Sequence, residues 1–137
     1  MNIDHEKARH LVYFLATAAV WVACDSHEEG MGEAVGPPTN SVCPTPQTLT
    51  YDNFGRDFMN RYCLRCHSAK VTGAAREGAP SDHNFDTIDE VQGLREHIDQ
   101  KAAAGPGATN ADMPRGQPTP TADERKKLGE WLACGAP

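Results

Sequence analysis

The chain has 137 residues, of which 39% are hydrophobic and only 7% aromatic, and its formal net charge at pH 7 is −6. That length suits one small domain with extensions, and a core with so few large side chains often needs a cofactor or a disulfide for stability. The negative charge argues against nucleic acid as the main partner.

The first 23 residues have the pattern of an export signal. Residues 1–10 are polar and include Lys7 and Arg9, and residues 11–23 form an apolar run that ends at Cys24. The run is shorter than the about 20 residues that cross a bilayer, as in a signal peptide. Its end resembles a bacterial lipoprotein processing site, which implies that Cys24 is lipidated. An ordinary cleaved signal or an uncleaved anchor is the alternative.

The lipoprotein interpretation implies a protein held in the periplasm or cell envelope, on either the inner or the outer membrane. Residues 24–48 are acidic and then rich in proline and glycine, with no apolar periodicity. Such a composition predicts a flexible tether between the lipidated cysteine and the folded domain. The domain itself is expected to span residues 49–137.

The first helix is predicted from about Tyr51 to Tyr62. Tyr51, Phe54, Phe58 and Tyr62 follow one another at intervals of three or four residues, which places the four rings on one helix face. The predicted helix runs directly into Cys63.

Two further helices are predicted from capping boxes, which pair Thr87 with Glu90 and Thr121 with Glu124. Each of these helices is followed by glycine or proline residues that typically end a helix, and the last helix ends at Gly135. Their apolar faces consist of Ile88, Val91, Leu94 and Ile98 in the second helix, and of Leu128, Trp131 and Leu132 in the third.

No strand pattern is evident, so the sequence predicts an all-α domain of three main helices. Residues 68–86 and 105–120 form long loops between these helices. Loops of that length need something to pack on, and a flat apolar cofactor would supply it.

The segment "CLRCH", residues 63–67, admits three interpretations. A structural zinc site needs four ligands, but the chain has no second cysteine pair, and the spacing of His83 and His97 does not suggest recruitment. A thioredoxin-like dithiol follows a strand and begins a helix, whereas Cys63 follows a predicted helix.

Haem attachment fits the segment best. In a Cys-x-x-Cys-His motif the two thiols, here Cys63 and Cys66, add across the two vinyl groups of the haem, and the following His67 becomes an axial ligand of the iron. The sequence therefore predicts one covalently bound haem c.

A second axial ligand is expected far downstream, and Met113 is the best candidate. It lies in a proline-flanked loop between the last two predicted helices, and His/Met ligation favours electron transfer. The alternatives are that Met113 only fills a loop core, or that His83 or His97 is the sixth ligand.

Residues 49–135 resemble class I monohaem cytochromes c. "CLRCH" matches the haem-attachment motif of that family, and Met113 in "DMP" matches its distal-ligand loop. Gly55, eight residues before Cys63, matches the small residue at which the first and last helices of the family cross, with Trp131 or Leu128 as its partner. The resemblance implies a small domain whose helices and long loops wrap around one haem.

Pro80 matches the loop proline whose carbonyl, in the family, accepts a hydrogen bond from the proximal imidazole, here that of His67. The crossing of the first and last helices would bring Cys43 and Cys134 together, so a disulfide between them is expected. Two buried free thiols are the alternative.

These expectations combine in an electron carrier that is not itself an enzyme, with redox proteins as partners and a membrane reached through the lipid. A haem-based sensor of small ligands and a haem subunit of a larger oxidoreductase are the alternatives. A basic stretch could steer an acidic redox partner to the haem edge, or it could simply be a solvated surface. It contains Arg56, Arg61, Arg65, Lys70 and Arg76.

Overall fold

A computed structural model describes residues 35–137, and their regular structure is helical. The α-helices are α1 (Arg56–Tyr62), α2 (Ile88–Gly93), α3 (Arg95–Ala102) and α4 (Ala122–Ala133), with a π-helical turn at Tyr51–Gly55 and a 3-10 turn at Gly73–Arg76. Within residues 35–137 the only β-type pairing is an isolated bridge between Ala104 and Thr109. The prediction of an all-α chain is confirmed at this level.

Helices α2 and α4 begin where the sequence predicts, because both capping boxes form. The Thr121 hydroxyl accepts a hydrogen bond from the Glu124 backbone N–H, and the Glu124 carboxylate accepts one from the Thr121 N–H. Thr87 and Glu90 make the same reciprocal pair. These bonds satisfy N–H groups that have no partner inside the helix.

The second predicted helix is divided in the structure. α2 ends at Gly93, Leu94 adopts φ −111° and ψ 14°, and α3 starts at Arg95. Glycine is a poor helix former because it loses the most backbone freedom, which accounts for a break at this point.

The π-helical turn lies against α4 at Gly55. A Cβ atom on Gly55 would be 2.4 Å from Cζ2 of Trp131, so only glycine allows this approach. The Phe54 ring packs edge-on against the Trp131 ring, with centroids 5.9 Å apart. Trp131 is therefore the partner at the predicted close contact.

The core contains residues from all four α-helices. Trp131, Leu128 and Val91 are fully buried, and the cluster around them also includes Phe58, Met59, Tyr62, Ile98 and Leu132. Phe85, from the long loop after Cys66, joins the same cluster, so this loop is packed on the core.

Cys43 and Cys134 form the expected disulfide, with Cα atoms 4.7 Å apart. It joins the segment before the π-helical turn to the residue that caps α4. The first and last parts of the described chain are thus linked covalently.

The N-terminal segment of the described residues differs from the predicted tether. Thr39 is fully buried, and its N–H and hydroxyl both donate to the carboxylate of Asp99. The Gly36 N–H donates to the Gln100 carbonyl at 3.1 Å. The described residues 35–137 all belong to one compact unit. This unit starts well before residue 49, because these specific bonds hold a proline-rich stretch to α3.

The predicted signal peptide, the lipidated Cys24 and the first part of the tether lie outside the described residues. Between residues 35 and 137, no helix is long and apolar enough to cross a membrane.

Candidate functional site

A single cleft contains the four residues that the sequence predicts as the attachment points and axial ligands of a haem. Cys63, Cys66, His67 and Met113 all line it. The cleft is open to solvent, and the empty space in it and in its mouth together is about 790 Å³. Its apolar wall includes Phe58, Tyr62, Phe85, Ile98, Ala102 and Pro114.

The cysteine pair is positioned by the end of α1. Cys63 caps the helix, and its N–H donates to the Met59 carbonyl at 2.9 Å. The chain then turns, and the Cys63 carbonyl accepts from the N–H groups of Cys66 and His67 at 3.1 and 2.9 Å. Both cysteines are free thiols and partly buried. This turn presents two thiols and an imidazole to the same cleft.

The protonation of Cys63 separates this motif from a redox-active dithiol. Burial raises the pKa of the Cys63 thiol to about 12, so the thiol stays protonated at neutral pH. Reactive Cys-x-x-Cys pairs use the positive end of a helix dipole to lower a thiol pKa. Cys63 lies instead at the negative, C-terminal end of α1. A thiolate nucleophile is therefore disfavoured here.

The His67 ring is held in one tautomer. Its Nδ1 lies 2.9 Å from the carbonyl oxygen of His83, and because a carbonyl only accepts, Nδ1 must carry the proton. In the neutral imidazole, Nε2 is then the nitrogen with the lone pair, as metal coordination requires. The ring stacks on Phe85 with centroids 4.8 Å apart, and the Phe85 N–H donates to the His67 carbonyl.

The expectation for Pro80 differs from what is observed, because the acceptor of the His67 bond is the carbonyl of His83. Pro80 does line the cleft. Its carbonyl accepts instead from the guanidinium of Arg76 and from the His83 N–H. That second bond closes a turn over residues 80–83, and the turn brings the His83 carbonyl to the imidazole.

Met113 lies in the loop between α3 and α4, partly buried against the core. Its N–H donates to the Lys101 carbonyl at 3.0 Å, and its carbonyl accepts from Nη1 of Arg125 at 2.8 Å. Both main-chain polar groups of the residue are therefore bonded to helices, which fixes its position on the cleft wall.

The two alternative histidine ligands are placed differently. His97, on α3, lines the cleft, whereas His83 is not part of its wall. Nδ1 of His83 lies 2.9 Å from the Asp82 carboxylate, and its ring meets that of His97 edge-on at 4.8 Å. His97 is thus the stronger rival of Met113.

The sequence did not predict that two arginines beside the site are buried. Arg76 and Arg125 are 7% and 6% exposed, and both bond mainly to backbone carbonyls of the loops that hold His67 and Met113. Nothing in sequence spacing distinguishes them from solvated arginines. Only the tertiary structure reveals which loops their guanidinium groups organise.

No three His, Cys, Asp or Glu side chains gather as metal ligands anywhere in residues 35–137. Met113 does not count towards such a group, because methionine is not one of those four residue types. Comparison of the chain with protein-family models, curated proteins and solved structures finds no match.

The donor set of the cleft suits a covalently bound haem. Two free thiols and a histidine with its lone pair on Nε2 come from one turn, and a thioether lines the same cleft. Aromatic and aliphatic side chains form a large part of the remaining wall, as an apolar macrocycle requires, and charged side chains such as Arg65 and Arg76 line the rest.

Proposed function

We propose that this protein is a one-electron carrier that holds a haem c through Cys63, Cys66, His67 and Met113. The observation that carries the proposal is that one cleft brings these four side chains together, although Met113 is far from the other three in sequence. The haem would supply the Fe(II)/Fe(III) couple, and the chain would supply its attachment, its axial ligands and its apolar surroundings.

Cys63 and Cys66 would be the points of attachment. Each S–H would add across one vinyl group, with sulfur bonding to one carbon and hydrogen to the other, so that no oxidant is consumed. This addition requires two cysteines that are not joined to each other, and both are free thiols.

His67 would be the proximal ligand. The hydrogen bond from its Nδ1 to the His83 carbonyl orients the ring and makes Nε2 more basic. Stacking on Phe85 further restricts rotation of the ring.

Met113 would be the distal ligand, held by its main-chain bonds to Lys101 and Arg125. A thioether is a neutral, soft ligand that favours Fe(II) and raises the potential. A rigidly held pair of ligands would also limit rearrangement between the two oxidation states, which favours fast electron transfer.

The absorption spectrum of the oxidised protein tests this proposal. Iron–thioether ligation gives a weak long-wavelength band, which we expect in the wild type and in His97→Ala but not in Met113→Ala. A band that persists in Met113→Ala would contradict the assignment of the ligand. A sensor would be indicated instead by a haem protein that lacks the band when oxidised, binds carbon monoxide when reduced, and does not pass electrons to a partner protein.

The proposal extends to a lipid-tethered protein of the bacterial cell envelope, with Cys24 as the lipidated residue. Mass spectrometry of the mature protein would report the lipid, the haem and the disulfide together. Its partners would be redox proteins, and stable co-purification with one of them would identify a subunit of a larger oxidoreductase.

Only part of the predicted basic stretch could guide such partners. Arg76 is buried, and Arg65, at the cleft, pairs with Glu77 at 3.4 Å. Arg65 also donates to the carbonyls of Arg115 and Gln117, so it links the cysteine turn to the Met113 loop. Its role is then at least partly structural.

A further inference from the structure

We propose that Arg76 raises the reduction potential of the iron by sharing the His83 carbonyl with His67. This inference rests on the proposed haem site and adds a positioning residue to it. Nη2 of Arg76 lies 3.3 Å from the same carbonyl oxygen that lies 2.9 Å from Nδ1 of His67. A single oxygen atom therefore connects a permanent positive charge to the proximal imidazole.

The guanidinium is buried and fully bonded. Its three nitrogens donate to the carbonyls of Ser68, Val71, Ala79, Pro80 and His83, and to the side-chain oxygen of Asn84. All six acceptors are neutral. Such an arrangement fixes the charge at one place on the cleft, where Arg76 also forms part of the wall.

The charge is only weakly offset by nearby acids. Asp82 and Asp86 interact electrostatically with Arg76, but their carboxylates bond to other groups. Asp82 pairs with the His83 ring and is 82% exposed, and Asp86 accepts from Ser68 and Ala69. Water screens the exposed Asp82 carboxylate, and the half-buried Asp86 carboxylate is held by Ser68 and Ala69, so neither neutralises the charge that Arg76 places beside His67.

Arg76 would favour Fe(II) through two effects, one of its charge and one of its hydrogen bond. A positive charge close to the iron disfavours the more positive Fe(III) state. In addition, the His83 carbonyl divides its acceptor capacity between two donors, so it polarises the His67 N–H less than it would alone. The imidazole is then a weaker electron donor, which again favours Fe(II).

The test compares Arg76→Gln with Lys70→Gln in the haem-loaded protein. Both changes remove one positive charge from the loop after His67, but Lys70 is exposed and does not line the cleft. We expect Arg76→Gln to shift the Fe(II)/Fe(III) equilibrium at least tenfold towards Fe(III), a fall of about 59 mV. Lys70→Gln should shift it less than threefold.

A spectroscopic readout separates this role from a merely structural one. In the reduced protein, the His67 Nδ1 proton should move downfield by NMR in Arg76→Gln, because its bond to the carbonyl strengthens. If Arg76→Gln fails to fold, Arg76→Lys replaces it. Lysine keeps the charge but not the planar fork, so the Nδ1 proton should still move downfield, with a potential shift smaller than tenfold.

Two outcomes would overturn the proposal while leaving the proposed function intact. One is an unchanged potential and an unchanged Nδ1 resonance in a variant that still shows the iron–thioether band. The other is an equal fall in potential for Arg76→Gln and Lys70→Gln, which would mean that general charge loss is sufficient. Absence of haem from the wild-type protein would instead contradict the proposed function itself.

Discussion

The carbonyl of Met113 accepts a hydrogen bond from Nη1 of Arg125 over 2.8 Å, which ties the Met113 loop to helix α4. The same nitrogen also donates to the carbonyls of Ala102 and Asn110. Burial lowers the pKa of Arg125 from its ordinary value, but arginine stays charged throughout the physiological range. One guanidinium thus holds the end of α3, the following loop and Met113 in a fixed relation.

We predict that Arg125→Met releases Met113 from the cleft. Three carbonyls lose a charged donor, and the domain should lose about 3 kcal/mol of its free energy of unfolding, since an unsatisfied buried group costs about 1–3 kcal/mol. In the haem-loaded protein, the iron–thioether band should weaken at least severalfold while the haem remains attached. Urea unfolding and the absorption spectrum measure the two effects.

Arg95→Met is the matched control for this change. Arg95 also donates to a backbone carbonyl, that of Gln92, but its side chain is 47% exposed. Its replacement should leave the band intact and change stability by less than about 0.5 kcal/mol. A full-strength band in Arg125→Met would show that Arg125 does not position Met113.

Gly55→Ala should destabilise the domain by about 1–3 kcal/mol, the usual cost of overpacking. The added methyl group would lie 2.4 Å from Cζ2 of Trp131, a fully buried ring that has no room to shift. Gly93→Ala is the control, because no atom lies within 4 Å of a Cβ there and the residue is helical. It should stabilise by about 0.4–1 kcal/mol in thermal or urea unfolding. Equal effects of the two changes would contradict the close contact.

The helices and the Gly55 contact could be predicted because their signals are local. Thr87 and Thr121 each form a capping box with a residue three positions further on, which predicts the start of a helix. Gly55 is recognised by its position eight residues before Cys63. The docking of Thr39 on Asp99 could not be predicted, since it depends on a residue 60 positions away and a proline-rich segment has no periodicity. Composition alone made that segment look like a tether.

The side chains of the candidate site could be predicted from the sequence, but the backbone hydrogen bonds that position them could not. Cysteine, histidine and methionine have distinctive chemistry, so Cys63, Cys66, His67 and Met113 could be chosen from sequence. The acceptor for His67 is a backbone carbonyl, and every residue has one. Which carbonyl meets Nδ1 depends on the turn over residues 80–83 and on Arg76, and neither leaves a pattern in the sequence.

Loss of the Cys43–Cys134 disulfide should destabilise the domain by about 4–5 kcal/mol in the chain-entropy model. The bond joins residues separated by 91 positions, and its removal frees a long loop in the unfolded chain. The double change Cys43→Ser and Cys134→Ser should therefore lower the urea midpoint strongly. The band from iron–thioether ligation should persist under native conditions, because neither cysteine lines the cleft. A stability change below 1 kcal/mol would contradict this prediction.

Asp86 should make part of the stability dependent on acid pH. Hydrogen bonds from the Ser68 hydroxyl and the Ala69 N–H lower the pKa of Asp86 in the folded state, with Lys70 and Arg76 contributing electrostatically. A carboxylate with a depressed folded pKa stabilises the fold fully above its unfolded pKa of about 3.9. That contribution is lost as the pH falls through the lower folded pKa. Since Ser68 and Ala69 directly follow His67, the loss should loosen the turn that holds the imidazole.

The measurement is the free energy of unfolding of the wild type and Asp86→Asn between pH 7 and pH 2. We expect the wild type to be more stable at pH 5–7, and the difference to shrink towards zero below the folded pKa, where Asp86 is protonated and resembles asparagine. Glu96→Gln serves as the control, because Glu96 is 87% exposed and its closest approach to its partner Arg95 is a long 3.7 Å. It should follow the wild-type profile. A gap between wild type and Asp86→Asn that stays constant down to pH 2 would mean that the Asp86 side chain acts through packing and not through its charge.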